Sequence, residues 1–441
     1  MMLLLALFQL TSLSPTYAAD AEDRTAGSDS AARAEADPHT IDLERAVAIA
    51  ARSAVDVEAA RIQVERAATL LRSSRQAFLP DLNLTVSGTA SVARTFSEGL
   101  SQSVTSPGVG GTARVMSTVP LYNGGALHAN VSSARLALRS REATLERTRQ
   151  DLQYVLAGGL LDVAEARGSV ALAEAVLEAE QTLRARVAAY VDAGSRTRAD
   201  LLQEDAAIAK AEQDLVSARS QVARSELALV QVLRLDPAEA WTFVPPNGVP
   251  DSTSTSAEAV RADVQASEAA VQAASADVQV ARAAALPSAG VALGASTSWL
   301  STESASVSSQ LRDQAQTWAT VEIDVPIFDR GLARNAVANA HTSERAARLD
   351  LTVRQEAAAT DQAAARISVE AARAAVAAAA RHRDAAVAAS AVIEQRYEAG
   401  AASLSELSAA HAEAAAAERD VLTASIAVRR AAFERVWAMG D

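Results

Sequence analysis

Val119-Pro120-Leu121-Tyr122-Asn123-Gly124-Gly125 returns later in the chain as Val325-Pro326-Ile327-Phe328-Asp329-Arg330-Gly331, an offset of 206 positions from Pro120 to Pro326. Each copy closes a run of alternating apolar and polar residues and opens roughly 65 residues of Ala-rich helical pattern. The same offset carries Gly194 to Gly400 and Asp200-Leu201 to Glu406-Leu407, while Leu79-Pro80 recurs one position off as Leu286-Pro287. Landmarks held in register across half the chain mark an internal duplication. Its unit runs helix, strand, strand, long helix, turn, helix.

Working outward, positions 1–19 read as a signal peptide, with an apolar Leu-rich stretch broken by Pro15 and small residues at the cleavage side. Positions 20–40 form a flexible N-terminus rich in Ala, Asp and Ser. The first repeat covers 41–244: a helix from 41 to 78, a β-hairpin at 81–122, a long helix at 126–189, a turn at Gly194 and a helix at 197–236. A Pro/Gly linker follows at 245–256. The second repeat, 257–441, holds a helix, a hairpin at 288–328, a long helix at 332–395, a turn at Gly400 and a helix at 403–437. Between the strands of each hairpin, Glu98 to Gly111 and Ser301 to Asp313 read as Ser-rich loops. Gly124, Gly125 and Gly331, with Pro120 and Pro326 just before them, form the strand-to-helix turns. Gly158, Gly159 and Gly168 are expected to bend or loosen the first long helix.

Composition fits long, thin helices. Hydrophobic residues make up 49% of the 441, but aromatics only 3%, so the apolar content is mostly Ala, which favours helix and fills little volume. A net charge of −13 argues against nucleic acid as a partner. The absence of cysteine excludes disulfides, thiolate sites and an N-terminal lipid anchor through Cys.

Four strands of about ten residues are long enough to cross an outer membrane when tilted. A sheet with open edges is not tolerated in lipid, and four strands cannot close, since such barrels use eight or more. Several copies must therefore pool their strands, and three copies would supply about twelve. In the last strand Val321, Ile323 and Val325 face lipid, and Glu322 and Asp324 face water. Trp299 and Trp318 are expected at the outer rim of the membrane belt, Tyr122 and Phe328 at the inner one.

The order of these pieces, the paired Leu-Pro and Val-Pro-Leu-Tyr-Asn-Gly-Gly signals, and the turn glycine followed by Asp/Glu-Leu resemble the TolC family of outer-membrane efflux and secretion channels. The resemblance covers about 41–441. It implies a mainly α fold with a small β part: long coiled-coil hairpins and four strands per protomer, trimerising into a 12-stranded outer-membrane β-barrel on a periplasmic α-helical barrel. It further implies a homotrimer in outer-membrane lipid, a periplasmic adaptor (membrane fusion protein), an inner-membrane pump that supplies the energy, and a passive exit duct for efflux or type I secretion. The turns at Gly194 and Gly400 would then form a gated periplasmic tip. By position Glu406 resembles the acid that narrows the bore and Asp200 its first-half counterpart, while Tyr397 resembles the tyrosine that latches onto Asp200. Ala402 and Ala409 depart from the family pattern, and Arg196 and Arg198 flank the first turn instead. The latch is thus expected to be rewired, with Arg196 or Arg198 reaching Glu406. Asp200 and Glu406 read equally well as first-turn acids facing the helix dipole.

A competing reading is a soluble periplasmic coiled-coil scaffold or adaptor. Catalysis is not expected, nor a cofactor: His39, His128, His341, His382 and His411 are scattered without metal-ligand spacing, and no nucleophile motif or phosphate loop is present.

Overall fold

In a computed structural model, residues 39–97, 99, 102–246, 248, 260–301 and 306–440 are described. The expected signal peptide and most of the flexible N-terminus and linker lie outside them. A short strand β1 (Thr40–Ile41) leads into two helices, α1 (Leu43–Ser53) and α2 (Val55–Gln76). The single helix expected over 41–78 is broken at Ala54, whose backbone is extended (φ −69°, ψ 127°). The Ser53 hydroxyl, 3.0 Å from both the Ile49 and Leu233 carbonyls, fixes the break. It lets Ala46 and Ala50 of α1 and Val57 of α2 bury in one cluster.

Next come β2 (Asn83–Ser97), β3 (Gln102–Asn123), α3 (Ala126–Asp192) and α4 (Arg198–Leu233). After β4 (Thr242–Phe243), the plan repeats as α5 (Ala262–Ala283), β5 (Ser288–Leu300), a short α6 (Val307–Asp313), β6 (Gln316–Asp324), α7 (Leu332–Glu398) and α8 (Leu404–Met439). Helices α3 and α7 each have 67 residues, and α4 and α8 each have 36. At about 1.5 Å per residue the long pair reach about 100 Å.

The strand-to-helix turns work by local chemistry. Gly125 and Gly331 cap α3 and α7 with φ of 86° and 80°, a conformation that costs little only for glycine. Asp329 accepts hydrogen bonds from the N–H groups of Gly331 (2.9 Å) and Ala333 (2.7 Å). Asn123 does the same for Leu127 at 3.2 Å.

Helix α3 packs against α2, α4, α5 and α8, and α7 against α5 and α8. Helix α3 runs unbroken across its glycines. A Cβ on Gly159 would stand 2.6 Å from Leu229 Cδ2, and one on Gly168 would stand 2.7 Å from both δ-carbons of Leu422. These glycines admit neighbouring helices, whereas Gly158 faces open space. Gly168→Leu is therefore expected to destabilise by about 1–3 kcal/mol through overpacking. Gly158→Ala should stabilise by about 0.5–1 kcal/mol. Opposite shifts of the thermal unfolding midpoint check the pair.

The core gathers where α1, α3, α4 and the β1/β4 strands meet, with Ile41, Leu156, Leu160, Val163, Leu233 and Phe243 at no more than 1% exposure. Each such side chain contributes about 1.5–3 kcal/mol. A second tie joins four helices around Arg261. Its guanidinium donates to Asp263 (2.8 and 2.7 Å) and to Asp361 (2.7 Å). It lies 5.7 Å from the centre of the Trp437 ring, which Arg147 approaches to 4.3 Å and the stacked Tyr154 ring to 5.3 Å, and whose indole N–H donates to Asp151 at 2.7 Å.

The four long strands form one antiparallel sheet in the order β2-β3-β5-β6. Three expectations are corrected here. The stretch 102–110, read as loop, is strand, because its small uncharged residues pair along β2. Pro107 is tolerated since β5 begins pairing with β3 only at Gly110, leaving ladder bonds on one side. The Ser-rich 301–313 segment contains α6, capped by Ser306 and bound to β5 through the Gln310 side chain, which bonds both the N–H (2.7 Å) and the carbonyl (3.1 Å) of Leu300. Finally, β6 stops at Asp324, where its partner Ser288 begins β5, so 325–328 lie past the ladder.

Candidate functional site

Two regions carry the functional geometry: the sheet face and the helical turns. On one face of the sheet stand Leu84 and Val86, Val115 and Val119, Val291 and Leu293, then Val321 and Ile323, all joined row by row by the register. Val321 and Ile323 are each 68% exposed and Val86 72%. Such a contiguous apolar surface needs a covering phase. On the opposite face lie Asn83 and Thr85, Arg114 and Thr118, Ser296, Thr320, Glu322 and Asp324.

The four aromatic residues expected in a membrane belt do not share one face of the sheet. Trp299 sits on the apolar face over Gly111, its register partner. A bulge between Pro120 and Tyr122 displaces Leu121 and brings Tyr122 opposite Ala289, onto the same face. Trp318 lies over Gly294 on the polar face, since strand alternation puts it beside Thr320 and Glu322 rather than Val321. Phe328 stands beyond the end of β6 and is 85% exposed. Trp299 is ten residues along β5 from Ala289. That is about 33 Å of strand, or about 24 Å of height at a 45° tilt.

The other end of α3 and α7 is built from two matching turns. Gly194 and Gly400 both have φ 73°, and each closes a left-handed cap. Ser195 N–H bonds Tyr190 O at 2.9 Å and Ala401 N–H bonds Arg396 O at 2.7 Å. The following helices open on reciprocal caps. Thr197 N–H and hydroxyl donate to Asp200 Oδ2 (2.9 and 3.0 Å), and Ser403 N–H and hydroxyl donate to Glu406 Oε2 (2.7 and 3.1 Å). Those Ser403 bonds hold the Glu406 carboxyl below the usual carboxylate range. Both acids therefore serve as helix caps, whatever else they do.

Tyr397 is brought to the first turn, but not through its hydroxyl. That hydroxyl is buried with no hydrogen-bond partner among the described residues, and Asp200 is occupied by Thr197. Burial pushes the phenol up; Arg196 pulls it down, while Asp200 and Glu204 add to the rise. The contact runs through Arg196, whose guanidinium lies 4.3 Å from the Tyr397 ring centre and donates to the carbonyls of Tyr397 (3.1 Å) and Ala402 (3.5 Å). Arg196 does not reach Glu406, and Arg198 is exposed. Arg186 on α3 adds a second bridge, to Glu394 at 2.7 Å and Glu398 at 3.5 Å. Leu183, Val187, Tyr397, Ala402, Leu404 and Leu407 pack beneath.

Sequence reading missed Arg186 and the buried Glu204, because partners on different helices leave no local spacing. Burial first, and then the charge of the neighbouring Glu180, push Glu204 up to about 7. Among the described residues no group of three or more His, Cys, Asp or Glu could hold a metal ion, and no helix is long and apolar enough to cross a membrane.

Comparison with known proteins fits this geometry. The family model described as outer membrane efflux protein matches residues 47–233 and 254–434. The outer membrane efflux protein BepC of Brucella suis biovar 1 (strain 1330) is 29% identical over 338 residues, 73% of this chain and 72% of that one. The solved structure of CusC superposes with a TM-score of 0.79 at 19% identity, covering 90% of this chain and 92% of that one. VceC of Vibrio cholerae gives 0.78 at 16%, covering 90% and 96%. The open state of MtrE of Neisseria gonorrhoeae gives 0.70 at 21%, covering 90% and 88%.

Proposed function

The chain belongs to the outer membrane efflux protein family, an exit duct in the outer membrane with a long periplasmic helical extension, and on that premise we propose that three copies build the duct. One observation carries this reading: a four-stranded sheet with an exposed apolar face and two unpaired edges, β2 and β6. Those edges demand partners in lipid, and twelve strands from three chains fall within the known barrel range of about 8 to 26. Trp299 and Tyr122 then anchor the two interfaces, the apolar face meets lipid, and Arg114, Trp318 and Glu322 face the lumen. The protein purified in mild detergent is expected to have the mass of three chains and to conduct ions in planar bilayers. A monomer would refute the reading in favour of a soluble scaffold.

The duct is passive, drawing energy and cargo choice from an inner-membrane pump through a periplasmic adaptor. It serves efflux or type I secretion. The repeats divide at the 245–256 linker, and the turns at Gly194 and Gly400 form the gated entrance. The arrangement of Arg196 supports a gate that differs from the expected Tyr397–Asp200 latch. Stacked on Tyr397 and bonded to two carbonyls of the second turn, Arg196 clasps the two hairpins of one protomer. Glu406 supplies three like charges near the axis, which favour cations and resist close approach. Arg196→Ala should raise single-channel conductance or open probability severalfold, whereas Arg198→Ala should leave both unchanged. Equal behaviour of the two variants in planar bilayers would count against the clasp.

A further inference from the structure

Among the described residues, six buried side-chain nitrogen or oxygen atoms have no hydrogen-bond partner, and five of them lie near the helical turns: Glu180 Oε2, Arg186 Nε, both oxygens of Glu204 and the Tyr397 hydroxyl. Buried polar groups are satisfied in most folded proteins, so such a concentration calls for a physical reason. Glu204 is the extreme case, with no exposed surface at all. It sits one turn along α4 from Asp200, facing Glu180 across the seam with α3.

The surrounding charges are committed elsewhere. On α3, Arg184 pairs with Asp205 and Arg186 with Glu394 and Glu398. Arg196 in the turn sits on Tyr397 of α7, and Asp200 belongs to its cap. Tyr397 of α7 also faces this end of α4, and α1 packs on α4 at the far end beside Leu233. Among the described residues no salt bridge joins a cation to Glu204, and an ionised carboxylate there faces both burial and a like charge. A proton resolves the conflict, because a neutral carboxyl can donate a hydrogen bond to the other carboxylate.

We propose that Glu204 and Glu180 share one proton across the α3–α4 seam and act as a pH-sensitive catch on the periplasmic tip. With the proton in place the first hairpin packs closed against the second. When it leaves, the buried Glu204 carboxylate meets the half-buried Glu180 carboxylate as a like charge, the seam loosens beside Tyr397, and the Arg196 clasp loses its rigid support. The catch rests on the reading that this end gates the duct.

The direction follows from linkage. Glu204 takes its proton at about 7 instead of the ordinary 4.5. The closed form thus binds more protons than a loosened one in which Glu204 meets water. Its stability is greatest at low pH and falls as pH rises towards and through about 7. Opening should follow the same trend.

The test uses the full-length protein reconstituted in planar bilayers between about pH 5.5 and 8.5. Wild type should show open probability rising severalfold with a midpoint near neutrality. Glu204→Gln should stay at the low-pH level throughout, and Glu180→Gln should move the midpoint down by about one unit, because the like charge is gone. A flat wild-type profile, or a rise that persists in Glu204→Gln, overturns the catch. Infrared titration provides a readout independent of conduction. A protonated-carboxyl stretch should disappear near neutral pH in wild type and be missing in Glu204→Gln; its absence from wild type overturns the shared proton. If that band titrates in a protein that conducts at no pH, the gating role fails together with the duct reading, and the shared proton stands.

Discussion

Leu293→Arg is expected to abolish assembly in the outer membrane. Leu293 lies midway between the Tyr122 and Trp299 rows, on the apolar face between Ser117 and Ala319, and is 51% exposed. An arginine at the midplane of a transmembrane barrel costs about 2–4 kcal/mol. Three symmetric copies bring that to about 6–12 kcal/mol, comparable to the whole stability of a typical domain. Ala292→Arg is the control. It is the adjacent residue of the same strand, but alternation turns it to the polar face between Thr118 and Thr320. Heat-modifiable oligomers in the outer-membrane fraction should vanish for the first variant and persist for the second. If both assemble equally well, the apolar face does not meet lipid.

Arg261→Met should show the largest loss of stability among changes to the helices, about 3–5 kcal/mol, as expected when one partner of a buried charge network is removed. The side chain of Arg261 is 4% exposed, and its loss strands Asp263, at 17%, along with Asp361. It also removes packing from Trp437 and from the close approach of Gly440, where a Cβ would stand 2.9 Å from Arg261 Cγ. A pH signature separates this from a simple cavity. Burial by itself would raise Asp263, but the hydrogen bonds and charge of Arg261 outweigh it and hold the carboxyl below 3.8. The stability it gains is therefore present above that value and is lost as pH falls through the lowered one. In the variant Asp263 should titrate higher, so the gap between wild type and variant should narrow in acid. Thermal unfolding at two pH values reads this directly. A constant gap would mean that the packing of Arg261, not its charge, holds these helices together.

Taken alone, the sequence determined the duplication, the order of the long helices and strands and the two glycine turns. All of these depend on patterns within a few residues or on one repeated offset. Period-two alternation marks a strand, Ala-rich helical periodicity a long helix, and glycine with positive φ a turn, wherever the segment later packs. Family resemblance extended that reading to the kind of channel.

Only the tertiary structure decided what depends on neighbours distant in the chain. The bulge at Leu121 set which aromatic residue, Tyr122, reaches the apolar face. The Ser-rich 301–313 stretch became partly helical because Gln310 could bond the end of β5. At the tip, the sequence placed Arg196, Asp200, Tyr397 and Glu406 near two turns and allowed both acids as first-turn helix residues, but only packing showed that Arg196, not Asp200, is the partner of Tyr397 across the hairpins. Glu180 and Glu204 had no signature at all before folding, since a carboxyl becomes a proton trap only when another helix removes its water and sets a second carboxyl against it.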